Sequence, residues 1–227
     1  METIWFFLSG VCHQIPERSF HYGGQPLPLC ARCTGTFLGA AIGLLALWAI
    51  GHGRRSRLPA PWVFGLLGVP VGIWAIDGLN SFASLALGRA PLYPPSNTLR
   101  LATGLGLGIA LAGVLYPVYH YALWHERGEG RALGGPWALP ALVGGAVVAG
   151  GLVLAWPGAP HLVWLAITTA ATAGTLALVN GAMLALALRR EGVAHRWVQV
   201  LPYWAGGLAL ALGETGTLAF IRRLLGA

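Results

Sequence analysis

The chain has 227 residues, of which 56% are hydrophobic and only 9% are charged, and its mean hydropathy is +0.67. Soluble domains carry roughly 25% charged residues, so this composition excludes an ordinary water-soluble domain. All 14 basic residues are arginines, and the formal net charge is +7. Because these arginines lie at the ends of apolar stretches, we interpret them as the positive-inside bias of a membrane protein, with lipids and no nucleic acid as partners.

The first eleven residues are apolar but too short to cross a bilayer. Glu2 stands where a signal peptide carries positive charge, which argues against a cleaved leader. We expect an interfacial or half-inserted segment, anchored by Trp5, Phe6 and Phe7.

Six later stretches reach the length of about 20 mostly apolar residues that a membrane-spanning helix needs. They are residues 34–51, 61–87, 97–123, 137–156, 161–188 and 198–221. The sequence therefore predicts an all-α protein, a polytopic transmembrane bundle of about six helices behind a short N-terminal Cys/His segment. The second stretch contains Asp77-Gly78, so it is either one helix with a polar step or two half-helices. Ser96 or Asn97, after two prolines, is the predicted N-cap of the third helix.

Glycines recur every four residues in the first three predicted helices. This spacing places them on one face, where backbones can approach closely, as is common between membrane helices. We expect these helices to form a compact bundle through Gly35, Gly39 and Gly43, through Gly68 and Gly72, and through Gly104 and Gly108.

The arginines also predict an orientation. With six spans, one side of the membrane has the loops that carry Arg54, Arg55, Arg57, Arg127, Arg131, Arg189, Arg190 and Arg196. The other side has Arg18, Arg32, Arg89, Arg100, Arg222 and Arg223. The larger group should face the cytoplasm, which places the N-terminal cysteines on the outer face of an inner or plasma membrane.

All three cysteines lie within residues 12–33. Cys30 and Cys33 form a C-x-x-C knuckle, a spacing that directs two thiolates at one metal ion, and Cys12 supplies a third. The fourth ligand of a tetrahedral zinc site would be His13 or His21, provided that the intervening loop folds back on itself. We predict zinc as the cofactor, with Cys12, His13, Cys30 and Cys33 as its ligands.

Two other interpretations of the cysteines stay open. A C-x-x-C pair is also a redox-active dithiol pattern, and Arg32 between Cys30 and Cys33 would favour the thiolate. Cys12 would then be the resolving thiol. Alternatively, the three cysteines are small apolar residues in the packing of the segment.

Polar residues inside the spans indicate a site near the same segment. Asp77 lies deep in an apolar stretch, where a carboxylate is costly and marks either a function or a paired charge. Arg100, one short turn into the third helix, is its expected partner, and Asn97 shares a helix face with Arg100. We predict Asp77 and Arg100 as candidate catalytic residues, and Asn97 and Arg100 as candidate ligand-binding residues. The alternative is a buried ion pair that only sets helix register.

Two strings in this region resemble the signature of a family of small prokaryotic membrane proteins, catalogued as a domain of unknown function. They are Cys-His-Gln-x-Pro-x-Arg-Ser-Phe from Cys12 and Pro-Leu-Cys-Ala-Arg-Cys-Thr-Gly from Pro28. The resemblance continues at Asp77-Gly78 and over residues 96–104, and it covers about residues 12–110. Ser81 stands where the family pattern has Gln, and residues 96–97 lack the spacer of its Ser-x-Asn. The resemblance implies no activity.

These observations divide the chain into a Cys/His segment at 1–33, family-like helices at 34–123 and an extension at 124–227. The leading hypothesis is a zinc-containing membrane protein that binds or processes a lipid-borne or membrane-interface ligand. Arg100 would meet an anionic group, and Asp77 would be an acid/base or an orienting carboxylate. The alternatives are thiol–disulfide or quinone-linked redox chemistry, and a transporter or accessory subunit of a larger membrane complex. Under the first hypothesis an enzyme is possible but not favoured, because three thiolates plus a histidine are commoner in structural than in catalytic zinc sites.

Overall fold

The computed structural model describes residues 1–50 and 53–226. Its α-helices are α1 (Glu2–Ser9), α2 (Ala31–Ala49), α3 (Pro61–Leu87), α4 (Asn97–Leu123), α5 (Ala138–Ala155), α6 (His161–Ala187) and α7 (Leu201–Leu224). Six helices, α2 to α7, are long and apolar enough to cross a membrane. This confirms the predicted all-α bundle, and the bounds differ from the predicted ones by no more than three residues. The predicted end of the first span, Gly51, lies outside the described residues.

The second span is one continuous helix. Asp77 and Gly78 lie inside α3 without a break, so this stretch is a helix with a polar step and not two half-helices. The helix ends at Leu87, and the next residue, Gly88, has a φ of +68°, the left-handed conformation that favours glycine. Ser96 caps α4 as predicted, because its Oγ accepts a hydrogen bond from the Leu99 N–H at 3.2 Å.

Two small strand pairs flank the bundle. Strands β1 (Ser19–Tyr22) and β2 (Gln25–Cys30) form an antiparallel hairpin that joins α1 to α2. Its two-residue turn is Gly23-Gly24, and both glycines have positive φ, as tight hairpin turns require. The loop that we expected to fold back on itself is this hairpin. Strands β3 (Arg55–Arg57) and β4 (Gly128–Arg131) pair in parallel at the other end, which the sequence did not predict.

The closest helix crossing joins α2 and α4 through glycine. A Cβ built on Gly39 would lie 2.7 Å from the Leu105 carbonyl oxygen, and one on Gly104 would lie 3.0 Å from the Thr36 nitrogen. The predicted packing of the first and third spans is therefore confirmed. For the second span the predicted role of the glycines is wrong, because a Cβ on Gly68 or on Gly72 would meet nothing within 4 Å, although α3 does contact α4.

The N-terminal segment packs on helices from both halves of the chain. Helix α1 lies against α7, where the Arg222 guanidinium donates hydrogen bonds to the carbonyl oxygens of Ser9 and Cys12 at 2.6 and 2.7 Å. The hairpin reaches α5, because the Tyr22 hydroxyl donates to the Val153 carbonyl oxygen at 2.7 Å. These contacts hold the end of α1, the hairpin and the start of α2 in one place.

Candidate functional site

Three cysteines converge where the hairpin meets α2, and we call them the thiol cluster. Cys12 follows α1, Cys30 ends β2 and caps α2, and Cys33 lies in the first turn of α2. Their Sγ atoms lie within 4.8 Å of one another. Cys12 and Cys30 are buried, and Cys33 is half-buried. The structure thus brings together three of the four residues predicted as metal ligands.

Hydrogen bonds within the thiol cluster shift the pKa values of its cysteines. The Cys30 N–H donates to Cys12 Sγ at 3.1 Å, and the Cys33 N–H donates to Cys30 Sγ at 3.5 Å. Hydrogen bonds from the Cys12 and Cys33 thiols lower the pKa of Cys30. The hydrogen bond with Cys30 and burial raise the pKa of Cys12 to about 11. The cluster therefore favours its first negative charge on Cys30, at the N-terminus of α2.

The donor set suits a thiophilic metal ion. Three sulfur atoms around one point are the ligands that zinc takes in structural sites, and a C-x-x-C knuckle is a common source of two of them. Among the described residues, the group of mutually close ligand atoms contains no histidine. His13, the predicted fourth ligand, and His21 both lie outside it and are exposed.

Asp77 has a dense set of partners. Arg32 donates from both Nε and Nη2 to Asp77 Oδ2, with a distance of 3.1 Å from Nε. The Tyr93 hydroxyl donates to Asp77 Oδ1 at 3.1 Å. The Thr103 hydroxyl lies 3.3 Å from Oδ2 and shares its proton with the Arg100 carbonyl oxygen at 3.1 Å. Arg32 Nη2 also donates to Ser81 Oγ at 2.9 Å. The carboxylate is completely buried, so these partners replace the water that it lacks.

The expected ion pair between Asp77 and Arg100 is corrected by this geometry. Arg32 takes the position beside the carboxylate, because the knuckle at the start of α2 directs its side chain towards α3. Arg100 Nη1 donates instead to Asn97 Oδ1 at 2.8 Å. Arg100 is buried, and its Nε atom has no hydrogen-bond partner among the described residues.

A third guanidinium group lies in the same place. Arg18 Nη2 donates to the Ser81 carbonyl oxygen at 3.1 Å, and burial followed by the charge of Arg32 lowers the pKa of Arg18. Asn97 Nδ2 donates to the Glu17 carbonyl oxygen at 3.1 Å, which joins Asn97 to the residue before Arg18. We call Arg18, Arg32 and Arg100, together with Asp77, the arginine cluster.

The arginine cluster carries a surplus of positive charge. Among the described residues, Asp77 is the only carboxylate that lies within 4.0 Å of any guanidinium group of the arginine cluster. Two of the three guanidinium groups therefore have no carboxylate partner in a partly buried site. A bound anion would balance them, and guanidinium groups match carboxylate and phosphate oxygens in geometry.

Several residues of this site were absent from the sequence prediction, namely Arg18, Arg32 as an ion-pair partner, Ser81, Tyr93 and Thr103. Arg32 could have been predicted, because it lies between two predicted metal ligands and two residues before the predicted start of the first span. Tyr93 had none, because it lies in a proline-rich loop whose path only the packing reveals.

Comparison with known proteins places this site in a family. The family model described as a predicted membrane protein (DUF2085) matches residues 12–114, which include both clusters. An uncharacterised protein of Methanothermobacter thermautotrophicus is 33% identical over 115 residues, covering 51% of this chain and 92% of that protein. One of Methanocaldococcus jannaschii is 28% identical over 116 residues, covering 51% of this chain and 68% of that protein. No solved structure matches the chain significantly. The chain, a multi-pass membrane protein, therefore belongs to the DUF2085 family of predicted membrane proteins.

Proposed function

We propose that this protein binds one zinc ion at the thiol cluster and an anionic, lipid-borne ligand at the adjacent arginine cluster. The observation that carries the proposal is the surplus of guanidinium groups over carboxylates beside three converging sulfur atoms. Arg32 connects the two, because its backbone lies between Cys30 and Cys33 while its side chain holds Asp77.

Arg100 is the residue best suited to contact the anion. It is 7% exposed, and its Nε hydrogen has no partner among the described residues, which is costly for a buried charged group. Asn97 accepts from one of its terminal nitrogens and holds the guanidinium in place. In this proposal Asp77 orients Arg32 and does not act as an acid or a base, because its carboxylate is occupied by three other side chains.

The ligand is proposed to be lipid-borne because of where the cluster lies. Arg100 is in the first turn of α4, near the end of a span, at the level expected for lipid head groups. On α3, Leu79 and Phe82 flank Ser81 and are 70% and 69% exposed. A phosphate could therefore meet the guanidinium groups while its alkyl chain lies along α3.

Zinc would have a structural role in this proposal. Bound to Cys12, Cys30 and Cys33, it would cross-link the end of α1, the end of β2 and the first turn of α2. His13 or a small exogenous ligand would complete the coordination. The ion would then fix the backbone from which Arg32 reaches Asp77, so that metal and anion binding support each other.

The experiment uses the full-length protein purified in detergent. Elemental analysis should find close to one zinc per chain. Less than half a zinc per chain, with all three thiols free to react with an alkylating reagent, would contradict the proposed metal site. Calorimetry measures the affinity of the protein for short-chain phosphatidic acid, phosphatidylcholine and inorganic phosphate, and so tests the proposed anion site. We expect saturable binding of phosphatidic acid, weaker by about tenfold or more in Arg100→Gln, since hydrogen bonds to charged groups contribute about 1.5–3 kcal/mol.

Arg89→Gln is the matched control, because Arg89 is an exposed arginine in the loop between α3 and α4. It should bind phosphatidic acid like the unaltered protein, and both variants should keep their zinc. Equal losses in the two variants would show nonspecific attraction and contradict the proposal. Tighter binding of inorganic phosphate than of phosphatidic acid would contradict the lipid-borne ligand.

Thiol redox chemistry is the second candidate, favoured by the lowered pKa of Cys30 beside two further thiols. Differential alkylation and mass spectrometry separate the two proposals. A Cys30–Cys33 disulfide that opens and closes reversibly supports redox chemistry. Reduced thiols that react with the alkylating reagent only after a chelator is added support zinc binding.

The proposed topology has the thiol cluster on the outer face of an inner or plasma membrane. The arginine-rich strands β3 and β4 lie at the other end of the bundle, which agrees with a cytoplasmic position for that end. Labelling of intact cells with a membrane-impermeant reagent, on a cysteine introduced at exposed Arg89, tests this orientation. Co-purification in mild detergent tests whether other membrane subunits accompany the protein.

A further inference from the structure

A cavity lies at the opposite end of the bundle from the thiol cluster. It has a volume of about 440 Å³ and lies among α2, α4, α6 and the start of α7. On α4 it reaches His120, twenty residues after Arg100, which is about 30 Å along a helix. Its volume falls in the ~300–1,000 Å³ range of small-molecule sites.

The walls of the cavity are apolar and carry no charged side chain among the described residues. Its polar side chains include two neighbours, Tyr119 and His120. An ionic head group would lose its hydration there without gaining a counter-ion, so the cavity selects against charged ligands. This property separates it from the arginine cluster.

Tyr119 and His120 offer complementary hydrogen-bonding groups. Trp204 Nε1 donates to the Tyr119 oxygen at 2.7 Å, and the hydroxyl proton of Tyr119 has no acceptor among the described residues. His120 Nδ1 lies 2.8 Å from the Tyr116 carbonyl oxygen. Because a carbonyl only accepts, this contact places the proton on Nδ1 and leaves Nε2 as an acceptor. One donor and one acceptor therefore stand on adjacent residues of an apolar cavity.

The rim of the cavity opens towards lipid. Leu45, Trp48 and Met183 line it and are 62%, 63% and 61% exposed, on helices that span the membrane. Trp48 and Trp197 are of the type that gathers at the membrane interface. A ligand can therefore enter sideways from the bilayer with its head group near the surface.

We propose that this cavity binds a long-chain lipid alcohol. Its hydroxyl oxygen accepts the Tyr119 proton, its hydroxyl hydrogen is donated to His120 Nε2, and its chain lies against the apolar walls. The Tyr119 and His120 rings lie 5.4 Å apart between centroids, and one lipid hydroxyl group, which both donates and accepts, can satisfy both side chains. Isoprenoid or fatty alcohols and reduced quinones share this chemistry.

Equilibrium binding of radiolabelled farnesol to the full-length protein in detergent tests the proposal. We expect saturable binding of one farnesol per chain. Farnesyl methyl ether, which cannot donate, should compete about tenfold more weakly, because one hydrogen bond contributes about 1 kcal/mol or slightly more. Farnesyl phosphate should compete poorly. Unlabelled farnesol and decylubiquinol are then compared as competitors, and the stronger one identifies the source of the hydroxyl.

Tyr119→Phe should weaken farnesol binding by about fivefold to tenfold, through loss of one hydrogen bond. Tyr121→Phe is the matched control, because the Tyr121 ring packs against Arg127, at 4.0 Å, and does not line the cavity. If Tyr119→Phe does not fold, Met183→Trp narrows the exposed rim of the cavity and should have the same effect.

Three results would overturn the proposal. They are equal affinity for farnesol in folded Tyr119→Phe and in the unaltered protein, equal affinity for farnesol and its methyl ether, and loss of farnesol binding in Arg100→Gln. The last result would show that farnesol binds at the arginine cluster and not in the cavity. Unchanged farnesol binding in Arg100→Gln supports a separate site, whatever the outcome for phosphatidic acid.

Discussion

Arg32 and Asp77 form an ion pair, with its carboxylate completely buried, that joins the first turn of α2 to the interior of α3. Two guanidinium nitrogens, Nε and Nη2, donate to the same carboxylate oxygen. Because Arg32 lies between Cys30 and Cys33, any movement of the knuckle moves the guanidinium group as well. The ion pair thus couples the thiol cluster to the arginine cluster.

Removal of one partner of this ion pair should be strongly destabilising. Arg32→Ala leaves the completely buried Asp77 carboxylate without its partner, which typically costs about 3–5 kcal/mol. Asp77→Ala leaves the partly buried Arg32 unpaired and should cost less, as should an apolar double replacement. Unfolding in mixed detergent micelles, analysed as a double-mutant cycle, measures the coupling. The same cycle for Arg100 and Asp77 should show a smaller coupling energy, and a larger one would restore the pairing expected from sequence.

The glycine crossing of α2 and α4 predicts a sharp difference between two glycine-to-alanine variants. Gly104→Ala places a methyl group against the backbone of α2, including the Thr36 nitrogen at 3.0 Å, and should cost about 1–3 kcal/mol. Gly72→Ala is the matched control, because its Cβ meets nothing within 4 Å. It should be neutral or stabilising by up to about 1 kcal/mol through helix propensity. Unfolding in micelles compares the two, and equal effects would contradict the observed crossing.

Removal of the proposed zinc should loosen the N-terminal segment as a unit. Chelation, or Cys30→Ser, is expected to raise hydrogen exchange over residues 12–30 and to leave α5 and α6 protected, because ligand loss releases the energy that folds the segment. Thr34→Ser serves as the control, since its hydroxyl can still donate to the Leu29 carbonyl oxygen as Thr34 does at 3.4 Å. Unchanged exchange over residues 12–30 in Cys30→Ser would count against a structural metal.

Tyr22 predicts an alkaline weakening of the fold. Burial raises the pKa of Tyr22 from 10.0 to about 12. Its folded-state pKa is thus above its unfolded value. The contribution of neutral Tyr22 to the free energy of unfolding is therefore fully present below pH 10 and is lost as the pH rises towards 12. The slope should be about 1.4 kcal/mol per pH unit over that window.

Tyr22→Phe should lower stability at pH 8 by about 1 kcal/mol, because the hydrogen bond to the Val153 carbonyl oxygen is lost. The same variant should reduce the alkaline slope of the free energy of unfolding by about 1.4 kcal/mol per pH unit between pH 10 and 12. An identical slope in the variant would show that Tyr22 titrates normally.

The sequence by itself determined the features that depend on local spacing. Span lengths follow from runs of apolar residues, and the cap at Ser96 follows from its own side chain and the prolines before it. The meeting of Cys30 and Cys33 follows from a two-residue spacing at a helix start. The resemblance to a family was predicted from the strings around the cysteines, and the family model matches residues 12–114.

Only the tertiary structure decided which helix faces meet. Lipid is as apolar as a leucine side chain, so hydropathy does not distinguish a packed face from a lipid-facing one. Gly104 and Gly72 therefore look alike in sequence, although a Cβ on the first would meet α2 and one on the second would meet nothing within 4 Å. For the same reason, the crossing of α2 with its neighbours selected Arg32 over Arg100 as the partner of Asp77, because helix rotation decides which guanidinium group reaches the carboxylate.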